Sequence, residues 1–281
     1  MNRRKLSGVG VAALVTLLGG AASAAIPAGA TYVALGSSYA AGPGITTLAA
    51  DSPGRCGQSA DNYPRQLAQR LKLKLVDRSC GGATTADILG TGPLGLAPQI
   101  EGVTAEARLV TVTIGGNDVR YMGGFGVAVC RAHPDPAKPC ADPPGFDLGQ
   151  AFGAAETSLR AIAAQVRQRA PKARLVFVDY VTVLPPKGTC ATVAISAADA
   201  DALRARAERL ARLTAQVAAD AHADILKASA LTTGHDACAA DPWVEGLVQG
   251  QTPAGRARTS FHPTLPAMTA IAAALAETLA K

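Results

Sequence analysis

The sequence predicts an α/β fold in which short apolar strands alternate with helices and a parallel sheet is covered on both faces. Three observations carry this expectation. Short β-type runs end in glycine or polar turns. Segments with helical apolar spacing separate these runs. No internal repeat or low-complexity linker breaks the alternation. Residues 31–35 form the first strand, closed by Gly36. Residues 62–73 place Tyr63, Leu67 and Leu71 at helical spacing, and 73–76 form a second short run. Residues 109–114 are β-branched and run into Gly115-Gly116. The 151–170 helix puts Leu159, Ile162, Ala163 and Val166 on one face, and Pro171 stops it. Residues 175–178 are another strand. A long charged helix spans 196–221 with Ser196 as its N-cap. A fifth strand follows at 223–226, and 265–279 form a closing helix. Segments 42–61, 120–149 and 182–195, rich in Gly, Pro and Cys, read as long loops. In sheets of this kind ligands sit at the C-terminal ends of the strands.

Of the 281 residues, 48% are hydrophobic and 17% charged, which excludes a disordered polar chain. The 29 Gly and 18 Pro follow no collagen period. The chain opens with Asn2-Arg3-Arg4-Lys5, an apolar run over 9–18 and Ala22-Ser23-Ala24. This pattern is a signal peptide cleaved near Ala24, leaving a single domain over 25–281 and a secreted or periplasmic protein. The apolar run is too short to span a bilayer, which takes about 20 residues, so no stable membrane insertion is expected. Removing residues 1–24 lowers the net charge from +6 to +3. No dense basic cluster is interleaved with aromatics, which argues against nucleic acid. The chain is taken as a monomer.

Six cysteines, Cys56, Cys80, Cys130, Cys140, Cys190 and Cys238, all lie after residue 24. An even count in an exported chain points to three disulfides, for which about 15 pairings exist. Sequential pairing (56–80, 130–140, 190–238) is favoured, because each bridge then staples a loop-rich region. Without a CxxC pair or HExxH motif no metal is expected. Without GxGxxG after the first strand or a Walker A run no nucleotide cofactor is expected.

Four turns carry possible chemistry, and each has an ordinary reading beside it. Gly36-Ser37-Ser38 follows the first strand and can project a hydroxyl into the cleft, or be a plain turn. Cys80-Gly81-Gly82 can bring a backbone N–H close to an oxyanion, or be a disulfide-rigidified turn. Gly115-Gly116-Asn117-Asp118 can aim a side-chain amide at a developing negative oxygen, or cap the next segment. Ser260-Phe261-His262-Pro263 precedes the last helix. Of the four histidines, His133 and His222 read as surface residues and His235 as a cap near Cys238. Only His262 sits where a late catalytic base belongs.

Ser, Gly, Asn and His in this order, each after a successive sheet element, resemble the SGNH (GDSL-type) hydrolases over about residues 31–263. The subgroup resembled is that of secreted bacterial lipases and esterases with three disulfides. Asn62-Tyr63-Pro64, the run from Cys80 to Thr85 and Trp243-Val244 also match it. The resemblance implies a flavodoxin-like three-layer α/β/α sandwich with a parallel sheet of about five strands. It implies Ser38 as nucleophile, His262 as base, and an oxyanion hole from the N–H groups of Ser38 and Gly82 and the side chain of Asn117. Two positions depart from the pattern. Ser37 replaces the usual Asp beside the nucleophile. Thr259 replaces the usual Asp three residues before the histidine, so a backbone carbonyl, most simply that of Thr259, is expected to orient the ring. Asp118 and Asp241 are lesser candidates for that role. Tyr121, Met122 and Phe125 either line an acyl pocket or form a small satellite core.

The function expected is secreted carboxylic-ester hydrolysis of lipase or esterase type, on a small-molecule or lipid ester and without a cofactor. Phospholipase A activity and glycan O-deacetylation are the alternatives within the class. A non-catalytic envelope-binding domain on a hydrolase scaffold is the alternative outside it.

Overall fold

Five parallel strands, β1 (Thr31–Gly36), β2 (Lys74–Asp77), β3 (Ala107–Thr113), β4 (Arg174–Val178) and β5 (Asp224–Leu226), form one sheet in the order β2-β1-β3-β4-β5. This is the flavodoxin-like arrangement, and the sequence-derived fold class stands. The structure is a computed structural model that describes residues 25–134, 139–248 and 259–280. The proposed leader and the cleavage site near Ala24 lie outside the described residues.

Alternation along the strands creates two cores. In β1, Tyr32 and Ala34 enter one apolar cluster while Val33 and Leu35 enter the other, and all four are fully buried. Helices α2 (Tyr63–Leu71) and α8 (Leu265–Leu279) pack in the first cluster. Helix α3 (Thr85–Leu89) and most of α5 (Leu148–Arg169) pack in the second. Buried hydroxyls are paired within the sheet and between the sheet and α2. Tyr32 Oη lies 2.7 Å from Thr111 Oγ1, and Tyr63 Oη lies 2.8 Å from Thr113 Oγ1.

Side-chain caps set the helix starts. Asn62 accepts from the Arg65 N–H at 3.0 Å, and Ser196 accepts from Asp199 N–H at 3.1 Å to open α6 (Ala197–Asp220). Asp147 accepts from Gln150 N–H, so α5 begins three residues before the apolar periodicity does.

The expected loop over 120–149 is corrected. Its first part is a helix, α4 (Tyr121–Ala132). Its glycines read as breakers in the sequence, but Gly124 serves packing. A Cβ on Gly124 would sit 2.7 Å from the Arg206 guanidinium and 2.8 Å from Leu203, both on α6. Two one-turn helices complete the set, α1 (Ser38–Ala41) after β1 and α7 (Ala228–Leu231) after β5.

The disulfides are Cys56–Cys80, Cys130–Cys140 and Cys190–Cys238, the sequential pairing. Each typically contributes about 2–4 kcal/mol, mainly by restricting the unfolded chain. Among the described residues no helix is long and apolar enough to cross a membrane, and no His/Cys/Asp/Glu group could hold a metal.

Candidate active site

The C-terminal ends of β1 and β3, the segment after β2 and the turn before α8 converge. They bring Ser38, Gly82, Asn117 and His262 to one edge of the sheet. Ser38 is the first residue of α1, so its N–H belongs to the free donors of a helix start. The preceding turn is clamped. Gln99 donates to the Gly36 carbonyl and accepts from the Gly36 N–H, at 3.0 and 2.8 Å, and Ser37 N–H donates to Thr113 O at 2.9 Å. Gly36 leaves no room for a side chain, since a Cβ would meet Thr113 O at 2.7 Å.

The Ser38 hydroxyl donates to His262 Nε2 at 2.7 Å. Nδ1 of the same ring lies 2.8 Å from the Ser260 carbonyl. A carbonyl only accepts, so Nδ1 carries the proton and Nε2 offers its lone pair to the serine. This corrects the expectation for Thr259: the orienting carbonyl belongs to Ser260, one residue nearer. Phe261 is the reason. It adopts a left-handed backbone with φ of 61°, which turns the ring of His262 back onto the carbonyl two residues before it. Thr259 instead donates its hydroxyl to Pro43 O at 3.1 Å. Neither alternative carboxylate serves the ring. Asp118 accepts from the N–H and hydroxyl of Thr85, bracing the Asn117 turn against the start of α3. Asp241 bonds Trp243 Nε1 and faces His235.

Phe261 is held from three sides. Tyr39 donates its hydroxyl to the Phe261 carbonyl at 2.5 Å, Phe125 stacks on its ring at 4.3 Å, and its N–H donates to Glu245 O. Glu245 N–H donates in turn to His262 O at 2.9 Å, and Leu247 N–H to Thr192 O, beside the Cys190–Cys238 bridge.

Gly82 has φ of +83°, a conformation that favours glycine, and its neighbours are fixed: Gly81 N–H donates to Cys56 O and Ala83 N–H to Cys80 O. Asn117 reaches across with one amide hydrogen to Ala83 O at 2.8 Å. The second hydrogen of that amide remains for a ligand. The edge therefore holds a serine whose hydroxyl is already paired with a neutral imidazole, and the Asn117 side chain ties its turn to the loop that carries Gly82.

Burial pushes His262 down from 6.5 to about 4, slightly opposed by its bond to Ser260. The ring is neutral at pH 5 and above, ready to take a proton. We expect kcat/KM to stay level from pH 7 to about 5 and to fall below that, with a midpoint near 4; a profile of initial rates with a fixed ester checks this. An acid limb centred at 6.5 would mean that the ring is solvated in the working enzyme. Stability follows the same sign. The unfolded histidine protonates below 6.5 and the folded one resists, so this group's contribution, present above 6.5, is lost as pH falls towards 4.

The sequence-derived acyl pocket divides. Phe125 is fully buried against Phe261 and belongs to the core beneath the histidine turn. The Met122 sulfur lies 3.6 Å from Tyr39 Oη. Tyr121 does line a cavity of about 290 Å³, together with Tyr180, Val181, Val183, Leu184 and Ala211. Sequence reasoning missed Tyr39, Gln99 and Tyr180. The signal for Tyr180 was its place just past the end of β4, where strand-end residues face the cleft.

Residues 34–269 match the family model of the GDSL-like lipase/acylhydrolases. The chain is similar to Lipase 2 of Streptomyces coelicolor, 33% identical over 268 residues that cover 89% of this chain and 90% of the relative. Among solved structures, it is similar to the extracellular lipase of Streptomyces rimosus. That match has a TM-score of 0.69 and 25% identity, and covers 89% of this chain and 99% of that one. The phospholipase A1 of Streptomyces albidoflavus shares the fold at the same TM-score with 24% identity, covering 89% and 99%. With the family model spanning most of the described sheet and its strand-end turns, the chain belongs to the GDSL-like lipase/acylhydrolase family and is a carboxylic-ester hydrolase.

Proposed function

We propose that Ser38 is the nucleophile and His262 the general base and acid of this hydrolase. The observation that carries the assignment is the 2.7 Å bond from Ser38 Oγ to a His262 ring whose other nitrogen is fixed on a carbonyl. The serine oxygen adds to the ester carbonyl as its proton passes to Nε2. The carbonyl oxygen becomes an oxyanion and is met by the N–H groups of Ser38 and Gly82 and the free amide hydrogen of Asn117. Collapse expels the alcohol, which takes the proton from His262 and leaves an acyl-serine. Water, deprotonated by the same ring, releases the carboxylic acid. The transient imidazolium is stabilised by the Ser260 carbonyl rather than by a carboxylate, so the site is a dyad with a backbone acceptor.

The substrate class proposed is an ester with an apolar acyl chain. The cavity walled by Tyr121 and Tyr180 is mainly apolar and lies past the ends of β4 and β5, and Tyr180 in its wall is bonded to the turns that carry Ser38 and Asn117. At about 290 Å³ it lies at the small end of ligand pockets, about 300–1,000 Å³. The names of the similar lipases support the same reading. Export is proposed with residues 1–24 as the leader. The three disulfides suit an oxidising compartment, and the similar Streptomyces rimosus lipase is an extracellular one.

The test is kcat/KM on p-nitrophenyl esters from acetate to palmitate, for residues 25–281 and for Ala211→Phe, which fills the cavity. The expected result is a higher value on medium-chain esters than on acetate, with that preference lost in Ala211→Phe. A maximum at acetate would instead favour removal of acetyl groups from glycans.

A further inference from the structure

The residues that precede two of the proposed oxyanion donors share one partner. Tyr180 accepts from the Gly116 N–H at 2.9 Å, and its hydroxyl is hydrogen-bonded to Ser37 Oγ at 3.0 Å. Ser37 is followed by Ser38, and Gly116 by Asn117. All these contacts are buried. We propose that Tyr180 is the positioning residue of the oxyanion hole, its single hydroxyl fixing the nucleophile turn and the asparagine turn relative to each other. The inference rests on the assignment of Ser38 and Asn117 above.

The packing leaves the tyrosine no alternative place. A Cβ on Gly116 would lie 2.6 Å from the Tyr180 ring, so the glycine is what lets the turn close onto the hydroxyl. The ring also lies 4.5 Å from Tyr39, whose own ring is 4.9 Å from His262. Desolvation pushes the Tyr180 hydroxyl up to about 12, so it keeps its proton at any working pH and can donate and accept at once. Ser37, which stands where the family usually has Asp, completes the brace without a charge. At 1% exposure a carboxylate in that place would bear a large desolvation penalty. Without the hydroxyl, the Gly116 N–H is buried and unpaired, and its turn must shift to find another acceptor. Displacements of this kind, on the order of 1 Å, reduce turnover by about 10²-fold when they misplace groups at the reacting atoms.

Tyr180→Phe keeps the ring and removes the brace. We expect kcat on p-nitrophenyl butyrate to fall by about 10- to 100-fold with KM changed less than about twofold. Fluorophosphonate labelling of Ser38 should slow in parallel, since the phosphoryl oxygen occupies the same hole. The acid midpoint of kcat/KM should not move. Ser37→Ala should give a smaller loss, and the double variant should lose less than the product of the two. A merely structural tyrosine would lower the melting temperature and leave kcat and labelling intact below it; that result, or multiplicative losses in the double variant, overturns the proposal. If Tyr180→Phe does not fold, Ser37→Ala decides, and an unchanged kcat overturns it. Ser38→Ala separates the two levels. If it stays active, the nucleophile assignment falls; if it is dead while Tyr180→Phe matches the parent, only the positioning role falls.

Discussion

Replacing Ser38 by alanine is expected to lower ester hydrolysis by about 10⁵–10⁶-fold, the range seen when the nucleophile of a serine–histidine pair is removed. Among the described residues the hydroxyl is the only group paired with Nε2 of His262. The neighbouring Ser37 points its hydroxyl to Tyr180 instead. The fold should survive, because the change deletes one atom at a position that is 7% exposed and whose backbone bonds remain. The measurement is kcat on p-nitrophenyl butyrate together with fluorophosphonate labelling and a thermal melt. Residual activity above about 1% of the parent, against the full loss expected, would move the nucleophile elsewhere.

Asn117→Ala is expected to reduce kcat by about 10²–10³-fold, or about 2.7–4 kcal/mol of transition-state stabilisation, with little change in KM. The side chain does two things. One amide hydrogen holds the Ala83 carbonyl at 2.8 Å, which fixes the loop carrying Gly82; the other is the proposed oxyanion donor. Truncation therefore removes one donor and loosens a second. Labelling of Ser38 should be slowed but complete, because the dyad is untouched. Asn117→Asp sharpens the test. It is nearly isosteric, but an ionised carboxylate cannot donate and repels an oxyanion, so the loss should be at least as large as in the alanine variant. A kcat within about threefold of the parent in both would remove Asn117 from the hole, since deleting a true donor costs far more.

The parts of the fold that were legible in the sequence are those governed by local chemistry. The three inner strands β1, β3 and β4 are buried on both faces and so appear as largely apolar runs. Asn62 and Ser196 announce helix starts because they satisfy donors a few residues on. Helix α4 was not legible. Its glycines are read locally as breakers, whereas the reason for Gly124 lies on α6, more than 70 residues later. The same contrast runs through the site. Ser38, Gly82, Asn117 and His262 stand out only by their order along the chain, through its resemblance to the SGNH hydrolases, because each turn taken alone has an ordinary reading. The acceptor for His262 was misplaced by one residue, since the choice between Thr259 and Ser260 depends on the dihedral angles of Phe261, which an ordinary phenylalanine does not advertise. Tyr180 was passed over because its role is defined only by what the fold brings to it from Ser37 and Gly116.

Phe261 gives the site an unusual kind of fragility. A bulky residue in a left-handed conformation holds about 1–3 kcal/mol of strain, and the chain keeps it there through the ring of Phe125 and the hydroxyl of Tyr39. Glycine would accept the same dihedral angles freely but would give Phe125 nothing to grip. The direction in which His262 points is thus decided partly on α4, by a side chain that meets neither ester nor water. Tolerance to mutation here should follow the grip on this one turn more closely than the distance from the reacting atoms.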